Sequence, residues 1–147
     1  MISFMKNVIL LLSTMMMFVS CVYSNTENSH QVITFVNKTN KTLYVVSSYE
    51  YPDTDVYKQI PDPKLGGYNK VEADQTTQTV LSSKTSYENV YHSLIPSGVM
   101  MVYVFDGLTL DTKGWDYIKA NNLVLKRYDL TLQDLKNKNW VITYDGN

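Results

Sequence analysis

Apolar residues are spread along this chain in two different ways. From Val8 to Val19 they form one predominantly apolar run, preceded by Lys6 and by no acid. That is the layout of a secretory signal, and the run is shorter than the roughly 20 residues a permanent membrane-spanning helix needs. From Val32 onward the apolar positions come in short bursts rich in β-branched and aromatic residues. Val32-Ile33-Thr34-Phe35-Val36 and Thr42-Leu43-Tyr44-Val45-Val46 flank the polar stretch Asn37 to Lys41, and the pattern predicts two strands joined as a hairpin. Periodicity then disappears from Ser47 to Gly67, where Pro52, Pro61, Pro63, Gly66 and Gly67 interrupt any regular element. A connection this long is often functional.

Shorter strands are predicted at Lys70 to Ala73 and Thr77 to Leu81, with Asp74-Gln75 as the turn. Tyr87 to Ile95 fits either period. Val99 to Phe105 is a continuous apolar run between Pro96-Ser97-Gly98 and Asp106-Gly107, the signature of a central buried strand. A short helix over Thr112 to Ala120 presents Trp115 and Ile118 on one side and stops at Asn121-Asn122. A strand follows at Leu123 to Tyr128. In Leu130-Thr131-Leu132-Gln133-Asp134-Leu135, Thr131 caps a second helix, Asp134 suits its positive end, and Leu130 staples to Leu135. In the closing strand Trp140 to Tyr144, Trp140, Ile142 and Tyr144 share one face. The sum is a mainly β fold, an antiparallel β-sandwich, immunoglobulin-like or similar, with two short helices in the C-terminal third.

The single cysteine changes the picture at the N-terminus. Phe18-Val19-Ser20-Cys21 resembles the lipobox of bacterial lipoproteins, with Phe18 where Leu is usual, and implies cleavage before Cys21 and lipid on its thiol. A competing cut after Ser24 discards the cysteine and gives a secreted protein. With Cys21 the only cysteine, the domain has no disulfide or thiolate zinc site, and its stability must come from a core. The expected organisation is a signal peptide over residues 1–20, lipidated Cys21 and a flexible tether over 21–31, and one β-sandwich domain over 32–147. Loss of Lys6 takes the formal net charge from −1 to −2, and no basic stripe is present, which argues against nucleic acid as a partner.

Tyr51-Pro52-Asp53-Thr54, the block Leu123 to Leu135 and Trp140 to Tyr144 resemble segments of small predicted lipoproteins of Bacteroides-type bacteria, a family without an assigned activity. The resemblance implies an envelope lipoprotein. Only Glu27 follows Cys21 where surface-displayed members carry an acidic cluster, so an outer-membrane protein facing the periplasm is expected. Asn37-Lys38-Thr39 and Asn40-Lys41-Thr42 match the glycosylation pattern and are read as turn chemistry.

Candidate chemistry is sparse. Nucleophilic catalysis needs a base beside a Ser or Cys, and only His30, in the tether, and His92 are histidines. His92 reads as a surface or partly buried residue. Asp53-Thr54-Asp55 begins like a calcium loop but continues with Tyr57 and Lys58, so Asp53 is read as closing a turn begun at Pro52. No catalytic set, metal site or cofactor is assigned. Lys126-Arg127 interrupts an apolar strand; the inward-facing member would need an acid such as Asp129, or an exposed edge. Tyrosine is the one compositional excess, at 12 residues. Tyr49, Tyr51, Tyr57 and Tyr68 lie in or beside the long loop and are the candidate contacts to a ligand or partner. The expected function is non-enzymatic: a lipid-anchored module that binds an envelope protein or a glycan. A carbohydrate-binding module using the loop tyrosines and a small hydrolase with paired carboxylates are the alternatives.

Overall fold

The computed structural model describes residues 29–147; the expected signal peptide, Cys21 and both candidate cleavage sites lie outside them. The strands are β1 (Thr34–Asn37), β2 (Leu43–Ser48), β3 (Lys70–Val71), β4 (Thr76–Thr77), β5 (Val99–Asp106), β6 (Lys126–Thr131) and β7 (Val141–Tyr144). The helices are α1 (Tyr87–Leu94), α2 (Gly107–Lys113), α3 (Trp115–Asn121) and α4 (Leu132–Asn137), with a 3-10 turn at Val56–Gln59. One sheet has the order β4-β1-β7 and the other β3-β2-β5-β6.

The described chain is therefore mixed α/β, with seven strands in two sheets and four α-helices. It departs from the expected all-antiparallel arrangement with two helices. β1 and β7 run parallel, Phe35 opposite Ile142, whereas every other pair is antiparallel. The predicted β1–β2 hairpin does not form. β1 pairs with β4 and β7, and β2 with β3 and β5. The cause lies in Asn37, which is buried, with its Nδ2 donating to the carbonyls of Lys41 and Glu72 and its Oδ1 accepting from the Thr39 backbone and hydroxyl. These four bonds hold a corner that carries the chain from one sheet to the other. The first acceptor motif is thus spent on turn chemistry. Residues 70–81 cross between sheets in the same way: β3 joins β2, and β4 joins β1, with Asp74 at φ 53 between them.

β5 explains the layering. Its six central residues alternate between two clusters, Met100, Val102 and Val104 in one and Met101, Tyr103 and Phe105 in the other, so both faces of the strand are covered. The inner cluster joins Leu43 and Val45 of β2 to Phe35 of β1, Ile142 and Tyr144 of β7, Tyr87, Val90 and Tyr91 of α1 and Leu135 of α4. Both sheets contribute to it. The outer cluster takes Tyr44 and Val46 from β2 and is covered by Val56 and Tyr57 of the long loop, Leu110 of α2, and Trp115 and Ile118 of α3. Full burial of such side chains contributes about 1.5–3 kcal/mol each.

The ambiguous segment 87–95 is helical because Ser86 caps it, accepting from the Asn89 N–H, and because Tyr87, Val90 and Tyr91 recur at helical spacing on the buried side. The helix predicted over Thr112 to Ala120 is broken at Gly114, whose φ of 84 turns the chain between α2 and α3. Asn122 ends α3 in the left-handed region, as the Asn-Asn stop predicted. Thr131 and Asp134 form a reciprocal capping box at α4. Leu130 and Leu135, the expected staple, are both buried in the inner cluster. β6 begins at Lys126 rather than Leu123, because the Leu123 and Val124 N–H groups are spent on the Ile118 and Asn122 carbonyls and pairing with β5 starts at Lys126, opposite Val104.

Packing begins before the first strand. His30, read as part of the tether, stacks on Trp140 with ring centroids 4.1 Å apart. Its Nδ1 lies 2.8 Å from Glu88 Oε1, and its carbonyl accepts from Tyr87 N–H. No helix among the described residues is long and apolar enough to cross a membrane.

Candidate functional site

The outer face of the four-stranded sheet decides where recesses open, because the long loop after β2 has no periodic apolar stripe and must be held another way. Aromatic side chains hold it. Tyr103 Oη donates to the Thr54 carbonyl at 3.0 Å, Trp115 Nε1 to the Ile60 carbonyl at 3.1 Å, and Tyr57 Oη to Asn122 Oδ1 at 3.2 Å. Each ring lies in the core while its polar atom ties down backbone or a neighbouring loop. Burial pushes the Tyr103 phenol up to about 12. Burial, together with the hydrogen bond to Asp111 Oδ1, pushes Tyr44 up to about 12 as well. Asp53 N–H donates to the Glu50 carbonyl, so Asp53 closes a turn as expected, but one that begins at Glu50 rather than at Pro52.

The four candidate tyrosines are not brought together. Tyr57 is 3 % exposed and belongs to the outer core, which removes it as a contact residue. Tyr49 is half-buried against the inner core. Tyr51 and Tyr68 are exposed, at 37 % and 61 %, and Tyr68 borders a groove with Leu65. Periodicity is silent in that loop, so nothing in the sequence distinguished anchor from exposed ring. His92 is exposed. The Lys126-Arg127 pair lies on edge strand β6, the exposed-edge alternative of the expectation, and it is the exposed Arg127 whose Nε and Nη2 donate to the two oxygens of Asp129 at 2.8 and 3.1 Å.

Two grooves open among the described residues. The first, about 740 Å³, opens between the Asn40–Thr42 corner, α2 and the α3–β6 connection. Its apolar wall is Leu108, Leu123 and Leu125, which are 72 %, 38 % and 40 % exposed. Asp106, Asp111 and Lys41 supply its charges. Asp106 is partly committed, since its Oδ1 caps α2 by accepting from the Thr109 N–H and hydroxyl and its Oδ2 lies 4.0 Å from Lys41 Nζ. Gly107 is required between the lining residues Asp106 and Leu108: a Cβ there would stand 2.6 Å from the Thr42 carbonyl oxygen. The second groove, about 750 Å³, lies between β2, the loop around Leu65 and Tyr68, and the segment Thr79 to Lys84. Among the described residues, no three of His, Cys, Asp and Glu are grouped to hold a metal.

Sequence reasoning missed the three leucines of the first groove. One signal was present: Leu108 and Leu110 are two positions apart, so a helix burying Leu110 must turn Leu108 away. Comparisons with protein-family models, with curated proteins and with solved structures found no match to this chain.

Proposed function

We propose that this protein is a lipid-anchored envelope module that acts by binding rather than catalysis, cut before Cys21 and held to the membrane by lipid on that residue. The domain is read as a helix-covered variant of a β-sandwich, and the protein as one of the Bacteroides-type lipoproteins it resembles, on the periplasmic side of the outer membrane. The observation that carries the binding reading is the first groove, where Leu108, Leu123 and Leu125 stand in water beside Asp106, Asp111 and Lys41. Exposed apolar side chains rimmed by polar ones mark interaction surfaces. His30 packs where β1 begins, and the groove opens at the Asn40–Thr42 corner after β1 ends. A membrane-tethered chain entering at His30 would present the groove away from the lipid, toward an envelope protein partner.

Two measurements test the reading. The mass of the mature N-terminus should correspond to a diacyl- or triacyl-modified Cys21; an unmodified Asn25 start would remove the anchor. Pull-down from cross-linked envelopes should enrich a partner that the double variant Leu108→Glu, Leu123→Glu no longer retains, and equal recovery by the variant would remove the groove. A glycan reading keeps support only from exposed Tyr51 and Tyr68. It predicts glycan-array binding lost in Tyr51→Ala, Tyr68→Ala.

A further inference from the structure

The second groove differs from the first in having sheet edge as its floor. Val45 N–H donates to the Asn69 carbonyl at 2.9 Å, on the side of β2 away from β5. Backbone direction alternates along a strand, so the N–H and C=O of Ser47, two residues on, point the same way. Strand β3 covers only Leu43 and Tyr44, and the chain before it turns away into the loop around Leu65 and Tyr68. Among the described residues no group donates to or accepts from the Ser47 backbone on that side. Ser47 is half-buried, and it lines the groove. The other edge of this sheet is guarded by Lys126 and by the Arg127–Asp129 pair on β6, the usual defence against unwanted pairing. The β2 edge at Ser47 carries no such guard.

We infer that the β2 edge at Ser47 is a second binding site, taking an extended peptide segment of a partner protein by strand addition. The peptide would continue the position of β3, exchanging main-chain hydrogen bonds with Ser47. Leu65, Tyr68 and Val80 offer apolar contact to its alternate side chains, Leu65 and Tyr68 being exposed at 66 % and 61 %. The residues that line the groove include one acid and one base, Asp62 and Lys84, which suits a peptide with side chains of both signs rather than a polyanion. This site is separate from the leucine groove, and either can fail without the other.

The test uses the full exported chain and capped peptides of about eight alternating valine and threonine residues, with one glutamate and one lysine, as probes. Binding is followed by amide NMR and titration. Expected results are a shifted and exchange-protected Ser47 amide, and binding abolished by N-methylation of one alternate set of peptide amides but not of the other. Ser47→Pro should weaken binding by about tenfold or more, since proline removes the donor and places its ring on the edge, whereas Ser47→Ala should bind like the parent. The proline disturbs no internal backbone bond, and circular dichroism checks its fold; should it fail to fold, the paired N-methyl peptides decide on the parent chain. Absence of binding across the panel, equal binding by Ser47→Pro, or indifference to which set is methylated would overturn the inference. So would a Ser47 amide already protected in dilute free protein, which assigns the edge to the chain's own residues before Ser29. Protection appearing only as protein concentration rises would overturn it in favour of a second copy.

Discussion

The two faces of the four-stranded sheet are built from the same strands and solve different problems. On the inner face the strands offer aliphatic residues, Leu43, Val45, Val71, Met100, Val102, Val104 and Leu130, which meet the second sheet and α1. On the outer face they offer Tyr44, Tyr103 and Phe105 beside Val46 and Met101, and the three rings meet Tyr57, Trp115 and a loop without regular structure. Aliphatic side chains suffice where the partner is itself a regular element with an apolar face. A loop brings unpaired backbone carbonyls, and the aromatic side with its phenol and indole donors both covers it and satisfies it. The difference teaches what the outer-face tyrosines do: Tyr57 and Tyr103 are fasteners.

The largest expected effect removes a fastener's platform. Phe105 stacks edge-on against Trp115 at 5.0 Å and lies 5.9 Å from Tyr57. Phe105→Ala should cost about 3–5 kcal/mol in chemical denaturation. It should also speed amide exchange across residues 54–60 more than Leu43→Ala does, although the leucine change on the inner face costs about 2–5 kcal/mol. Equal loop exchange in the two variants would erase the distinction between the faces.

What the sequence disclosed follows the same division. β5, the Thr131–Asp134 box and the Trp140–Tyr144 face were legible because their signals are local: an apolar run, a cap spacing, an alternation. Pairing was not legible. β1 lies beside β7, more than 100 residues away in the chain, and beside β4 rather than β2, because the corner at Asn37 depends on a carbonyl from Glu72 that no local pattern announces. α1 was obscured because Tyr and Val favour strands, even though Ser86 and the 87, 90, 91 spacing spelled a capped helix. Of the candidate tyrosines, Tyr57 and Tyr68 differ only in what stands opposite them. Position in the loop carries no record of that.

Smaller effects sharpen the comparison by touching the hydrogen bonds alone. Tyr103→Phe and Trp115→Phe should each cost about 1 kcal/mol for the lost bond, with the indole change adding packing loss. Both should loosen the loop, the first near Thr54 and the second near Ile60. Double replacement with Tyr44→Phe tests the same bonds through pH. Tyr44 and Tyr103, held up to about 12, stay protonated in the fold after the unfolded chain has begun to ionise near 10. The stability they contribute is fully present below about pH 10 and is lost as pH rises through 12. The Tyr44→Phe, Tyr103→Phe chain should therefore show a flatter decline of stability above about pH 10 than the parent. It should not become flat, since burial also raises Tyr87 and Tyr91 on the inner side.

The smallest expected effect lies where the chain enters the inner core, and its sign is opposite. Burial by itself would raise the Glu88 carboxyl, but hydrogen bonds from the His30 ring, from its own backbone N–H and from the His30 N–H outweigh this and hold it below the usual range. A carboxyl lowered in the fold contributes stability that is present above its unfolded pKa of about 4.3 and lost as pH falls through the folded value. Glu88→Gln should remove that acid-side slope while leaving the alkaline decline untouched. The amide keeps a hydrogen-bonding acceptor for His30, so the change at neutral pH should stay below about 1 kcal/mol, the range for a solvent-screened charged pair. An unchanged acid slope in Glu88→Gln would mean that the stacking of His30 on Trp140, and not the carboxylate, fastens the start of the domain.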